Sequence, residues 1–228
     1  MTKARIKVEV CVASVEAACA AESAGADRIE LNCALELDGL TPPAGLFQRV
    51  RAQVQLPIIA MARPRAGDFD YSDDEWQTLL ADARWLIEHV ADGIAFGCVT
   101  EKVVYLDRVQ EMRQLVGEKE LVFHKAFEEA EDWQIALSQL ADAGVDRVMT
   151  SGRAPVAADQ TALIAEMVQF TKQLKHPISV LPAGRVSSEN AGRLVAESGV
   201  AEIHGSFCLL YTSPSPRDLS TSRMPSSA

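Results

Sequence analysis

The chain has 228 residues, enough for one domain with a full core, and its 48% hydrophobic and 24% charged residues have the balance of a globular protein. With 32 acidic against 22 basic side chains, a net charge of −10 disfavours contact with nucleic-acid phosphates. No apolar run approaches the roughly 20 residues of a membrane span. The basic start (Lys3, Arg5, Lys7) lacks the apolar core of a secretory signal. The five cysteines are odd in number, scattered and without a Cys-x-x-Cys pair, which suits a reducing compartment. The expected location is therefore cytoplasmic, with neither a nucleic acid nor a membrane as partner.

Strand and helix patterns alternate along the chain. A strand at 6–11 precedes a helix that Ser14 caps and Gly25 closes, followed by a strand at 28–32. A helix at about 44–54 leads to a strand at 57–63, and Ser72-Asp73-Asp74-Glu75 is a capping box opening a long helix to near His89. Strands at 93–98 and 121–127 flank a helix at 106–116. Asp132 caps a helix from Trp133 to Gly144, ahead of a strand at 147–151 and a helix at 159–174. A strand at 178–183, a helix at 189–198 capped by Ser187 or Ser188, and a strand at 201–206 complete the series.

One phrase recurs. Ser23-Ala24-Gly25-Ala26-Asp27-Arg28-Ile29-Glu30-Leu31 returns as Asp142-Ala143-Gly144-Val145-Asp146-Arg147-Val148-Met149-Thr150, with echoes at 90–97 and 198–205. Each closes an amphipathic stretch with a helix-ending residue, usually glycine, and opens a short apolar run of the buried parallel-strand kind. Eight such strands in about 200 residues predict an α/β fold, a (β/α)8 TIM barrel. A Rossmann sheet fits less well, since no Gly-x-Gly-x-x-Gly follows the first strand. The composition turns Ser/Pro/Thr-rich after Cys208. The domain is assigned to 1–208. Residues 209–228 read as a disordered tail resembling translated adapter sequence, with the last barrel helix missing or replaced.

Chemistry in such a barrel sits at the C-terminal ends of the strands. Glu9, Glu30, Arg63 and His124 stand out, because ionisable groups inside parallel strands are costly unless paired. Together they suit acid–base work on a small anionic metabolite, with Glu30 or His124 moving a proton and Arg63 holding the anion. The alternative is a structural ion-pair network. Arg65 is a second anion clamp in the loop after the third strand, or a pair that holds the loop shut. Gly184 and Ser206, in the loops after strands seven and eight, lie where many barrels bind phosphate. Cys11, Cys33 and Cys98 top strands one, two and four, and converging thiolates favour Cu(I), although free cysteines are more often small core residues.

From Val8 to Ser206 the residues resemble the CutC copper-homeostasis family. The resemblance rests on Glu9-Val10-Cys11-Val12, Gly25-Ala26-Asp27-Arg28-Ile29-Glu30-Leu31, Gly39-Leu40-Thr41-Pro42 and Arg63-Pro64-Arg65-Ala66-Gly67-Asp68-Phe69-Asp70-Tyr71-Ser72-Asp73. It continues with Phe123-His124-Lys125-Ala126-Phe127, Val148-Met149-Thr150-Ser151-Gly152 and Glu202-Ile203-His204-Gly205-Ser206. It implies a (β/α)8 barrel, a cytoplasmic protein, copper as bound ion with Cys11 as foremost ligand, and a homo-oligomer. Three positions depart from the family pattern. Asn32 stands where a Cys is usual, with Cys33 displaced by one; Lys125 replaces an Arg, and Glu128 an Asp.

Overall fold

The computed structural model describes residues 5–207. In chain order the elements are β1 (Lys7–Val12), α1 (Val15–Ser23), β2 (Arg28–Leu31), α2 (Ala44–Arg51), β3 (Ile58–Met61), α3 (Asp73–Glu88) and β4 (Gly93–Phe96). A hairpin of β5 (Val99–Thr100) and β6 (Val103–Val104) precedes α4 (Leu106–Val116), β7 (Glu120–Phe123), α5 (Trp133–Asp142) and β8 (Arg147–Thr150). Then come α6 (Thr161–Thr171), β9 (Ser179–Pro182), α7 (Ala191–Ser198) and β10 (Glu202–Gly205). Eight strands form one parallel sheet in the order β10-β1-β2-β3-β4-β7-β8-β9, and β9 comes back beside β10, so the sheet nearly closes into a barrel. Seven helices accompany the strands among the described residues. Cys208 and the tail lie outside the described residues.

The recurring phrase has a physical explanation. Gly25 and Gly144 take φ of +83° and +80°, the left-handed geometry that ends α1 and α5 at little steric cost. Two residues on, Asp27 and Asp146 accept the backbone N–H of Val8 and Leu121, each at 2.8 Å, and so tie their own strand to the preceding one. Asp92 does the same for Ile58 at 2.8 Å. There the helix-ending position is Val90, a β-branched residue held at φ +66°. The next residue of the two strong copies, Arg28 and Arg147, turns into the barrel.

Outward-facing strand residues such as Val10, Ile29, Ile58, Ile94 and Val148 join the helices in one large core. Inside the barrel, Ile59, Met61, Ala95 and Val122 form a small apolar layer, and Met149, Leu181 and Ala183 another. The predicted strands recur with shorter ends. The segment at 121–127 leaves the sheet after Phe123, because His124 starts a 3-10 turn, Lys125–Glu129. The capping box of α3 is formed, with Ser72 accepting from the Glu75 N–H at 3.2 Å and Glu75 from the Ser72 N–H at 2.9 Å. Helix α7 starts at neither Ser187 nor Ser188. Its N-cap is Asn190, whose side chain accepts from the Ser187 N–H at 2.9 Å and makes a turn ahead of the helix.

Candidate functional site at the barrel mouth

Register sets the site's levels. Glu9 pairs with Arg28 on one side and His204 on the other, and Cys11 pairs with Glu30. Side chains two apart face the same way, so Glu9 and Cys11 both enter the barrel, Cys11 nearer the mouth.

Glu9 is fully buried and belongs to the floor. Its Oε2 accepts from Arg28 Nε and from Arg147 Nη1, the latter at 2.5 Å. Arg28 also pairs with Glu202, and Arg147 with Glu120. Burial alone would raise the Glu9 carboxyl, but Arg147, the bond to His204 and Arg28 outweigh it and hold it well below the usual carboxylate range. Glu9 does not line the mouth cavity. Its contact with that cavity runs through His204, whose Nδ1 lies 2.8 Å from Glu9 Oε1. The structure thus separates Glu9 from the other three ionisable residues singled out in the sequence. The reason is register: Glu9 pairs with Arg28, the first residue of β2, and so sits one inward-facing level below Cys11 and Glu30.

Above the floor is a cavity of about 680 Å³, lined among others by Cys11, Glu30, Asn32, Arg63, His124 and His204. Ligand atoms of Cys11, Glu30 and His204 all lie within 4.8 Å of one another. Asn32 Nδ2 donates to Glu30 Oε2 at 2.8 Å and to Cys11 Sγ at 3.4 Å, and His204 Nε2 is 3.8 Å from Glu30 Oε2. Burial, with Glu9 adding to it, raises the Glu30 carboxyl even against His204. Burial also raises the Cys11 thiol. For His204 burial works toward the neutral form, but Glu30, Cys11 and Glu9 prevail and raise it well above the ordinary histidine range.

Arg63, after β3, and His124, after β7, line another part of the cavity. The Arg63 Nη1 donates to the carbonyls of Leu37, Asp38 and Gly39 at 3.1, 3.3 and 3.3 Å, and Nη2 to that of Gly67 at 2.8 Å. Its guanidinium lies 4.8 Å from the Phe69 ring centroid, and that ring is 4.9 Å from His124. His124 Nδ1 accepts from the Ala126 N–H at 3.2 Å, which puts the ring proton on Nε2. Burial first, then Arg63, lowers His124 to about 3, so the ring is neutral near pH 7. Four buried atoms of this cavity's residues have no partner among the described residues: Glu30 Oε1, Asn32 Oδ1, Arg63 Nε and His124 Nε2.

Gly184 and Ser206 line the cavity, as do Lys125 and Glu128. Gly184, at φ +121°, passes so close to β8 that a Cβ there would sit 2.8 Å from Ser151 Cβ. Three predicted residues lie elsewhere. Cys33 is outside the cavity, and its Sγ donates to the Thr41 carbonyl at 3.0 Å, because the one-residue displacement turns it toward the following loop. Cys98 is buried behind the wall, its thiol pushed up to about 12 by burial. Arg65 pairs with Asp68 at 2.9 Å and Glu75 at 2.5 Å and closes its own loop, the structural alternative raised by the sequence. Two residues were not singled out from the sequence. His204 was visible at the end of the eighth strand, but nothing there marked it as the link between floor and mouth. Gly97 leaves the space that the His124 ring occupies: a Cβ on it would meet His124 Nδ1 at 2.5 Å.

The CutC family profile matches residues 6–209. The chain belongs to the CutC family. The CutC protein of Treponema denticola is 40% identical over 200 residues, covering 87% of this chain and 80% of that protein. The human copper homeostasis protein cutC homolog is 39% identical over 199 residues, covering 86% of this chain and 71% of its own. The crystal structure of CutC from Streptococcus agalactiae superposes with a TM-score of 0.83 at 24% identity, covering 89% of this chain and 99% of that one, a likeness of fold.

Proposed function

We propose that this CutC-family protein takes part in copper homeostasis by binding a copper ion at the barrel mouth, with Cys11 and His204 as principal ligands and Glu30 beside them. The observation that carries this reading is the approach of the Cys11, Glu30 and His204 ligand atoms to within 4.8 Å of one another at one end of the cavity. Thiolate and imidazole suit Cu(I). Glu9 holds His204 Nδ1 and leaves Nε2 toward the cavity, the carboxylate–histidine arrangement that orients metal-binding imidazoles. Asn32 supplies no thiolate beside Cys11, so the site is a single-thiol one. The copper-homeostasis names of the relatives support the reading. A cytoplasmic location goes with it, supported by free cysteines and by the lack of any helix, among the described residues, long and apolar enough to cross a membrane.

An anaerobic Cu(I) titration against a competing chelator tests it. One-to-one binding in the wild type, lost in Cys11→Ser and His204→Phe, is expected. Binding unchanged in both variants would sink the assignment. A second reading, acid–base chemistry on a small anionic metabolite, is favoured by the unpartnered Arg63 and His124 nitrogens of the same cavity. Stabilisation of the fold by small anions is its test.

A further inference from the structure

Among the described residues four arginines are buried: Arg28, Arg63, Arg108 and Arg147. Three have carboxylate partners. Arg28 pairs with Glu9 and Glu202, Arg147 with Glu9 and Glu120, and Arg108 with Asp73 at 2.9 Å. Arg63, only 4% exposed, makes no ion pair with any described residue and spends its bonds on neutral carbonyls. A buried charge without a counterion is costly. Beside it, His124 is also 4% exposed, and its Nε2–H faces no acceptor. Both residues line the same cavity.

We infer that Arg63 Nε and His124 Nε2 form a two-donor clamp for one oxyanion, a carboxylate or phosphate, of a small organic acid entering by the barrel mouth. The inference rests on the anionic-ligand reading above and is independent of copper binding. The clamp is preorganised. The Leu37–Gly39 and Gly67 carbonyls fix the guanidinium, the Ala126 N–H fixes the imidazole tautomer, and Phe69 packs against both groups. The neutral imidazole donates its Nε2–H without carrying a charge, and Arg63 supplies the positive charge. The absence of a side chain at Gly97 is part of the device, since a Cβ there would displace the ring. Acidic residues Asp38, Glu128 and Glu129 also line the cavity, which favours a compact anion seated deep against Arg63 over a polyanion at the rim.

The test uses the full metal-free chain with sodium oxalate and inorganic phosphate as probes and sodium chloride as the ionic-strength control. Calorimetry is read together with ¹⁵N NMR of the histidine rings. Saturable binding is expected for at least one probe, with a downfield shift of the His124 Nε2–H signal in the wild type. Affinity should fall by about tenfold or more in His124→Phe and in Gly97→Ala, each losing a donor to a charged acceptor. Binding of oxalate alone identifies a carboxylate ligand, and binding of phosphate alone a phosphate ester. Saturable binding with the His124 signal unmoved and both variants unaffected overturns the clamp and leaves the anionic-ligand reading standing. No binding of either probe overturns both.

Discussion

The floor and the mouth of this barrel contain the same kinds of residue, carboxylate, arginine and histidine, in opposite states. On the floor Glu9 is held by Arg28, Arg147 and His204, and each arginine reaches a second carboxylate; only Arg147 Nε lacks a partner. At the mouth Glu30, Asn32, Arg63 and His124 each keep a buried atom without one. A partnered buried network holds strands together, whereas buried polar atoms left open represent unspent binding capacity. The difference sets the paired floor apart from the mouth, the part proposed to bind a ligand, although both carry the same residue types.

The largest effect should come from breaking the floor. Glu9→Gln leaves two buried guanidinium groups short of charge and should lower the unfolding free energy by about 3–5 kcal/mol, read by urea denaturation. A loss below about 1 kcal/mol would mean that the floor network is not structural. Next come the two histidines, whose shifts have opposite signs. His204, raised on the floor side by Glu9 and at the mouth by Glu30, contributes stability that is full below the unfolded value of 6.5 and fades as pH rises toward its folded value. His124 is lowered to about 3, so its protonation in the unfolded chain removes stability as pH falls from 6.5 toward 3. Its slope should approach about 1.4 kcal/mol per pH unit. Stability should therefore peak near neutral pH. His124→Gln should flatten the acid limb between pH 6.5 and 5, and an unchanged limb would contradict a neutral buried imidazole. The smallest effect compares two arginines in one loop. Arg65→Ala removes partly exposed ion pairs and should cost less than about 1 kcal/mol, with oxalate and phosphate binding unchanged. A marked loss of anion binding in Arg65→Ala would shift the clamp outward from Arg63.

Much of this was legible in the chain. Helix-ending glycines, Asp and Ser caps and short apolar runs are local signals that depend on a few neighbouring residues, so the eight strands and the capping box of α3 could be placed from sequence. The β5–β6 hairpin could not. Its turn is Glu101 and Lys102, both at positive φ, without the Asn-Gly or Asp-Gly pair that announces such turns. The site was partly legible. Glu30, Arg63, His124, Cys11, Gly184 and Ser206 line the cavity, because residues at strand ends open onto a barrel mouth whatever their partners.

What the sequence by itself determined is the alternating β/α order, Glu9, Glu30, Arg63 and His124 as ionisable residues of the inner strands and the substitution of Asn32 beside Cys11. What only the tertiary structure decided is which of them neutralise one another. Arg28, Arg63 and Arg147 are alike as letters. Only the stagger of eight strands puts two of them against one glutamate and leaves the third among neutral carbonyls. Ion pairing is set by distance in space, and residues 9, 28, 147 and 204 become neighbours only when the barrel closes.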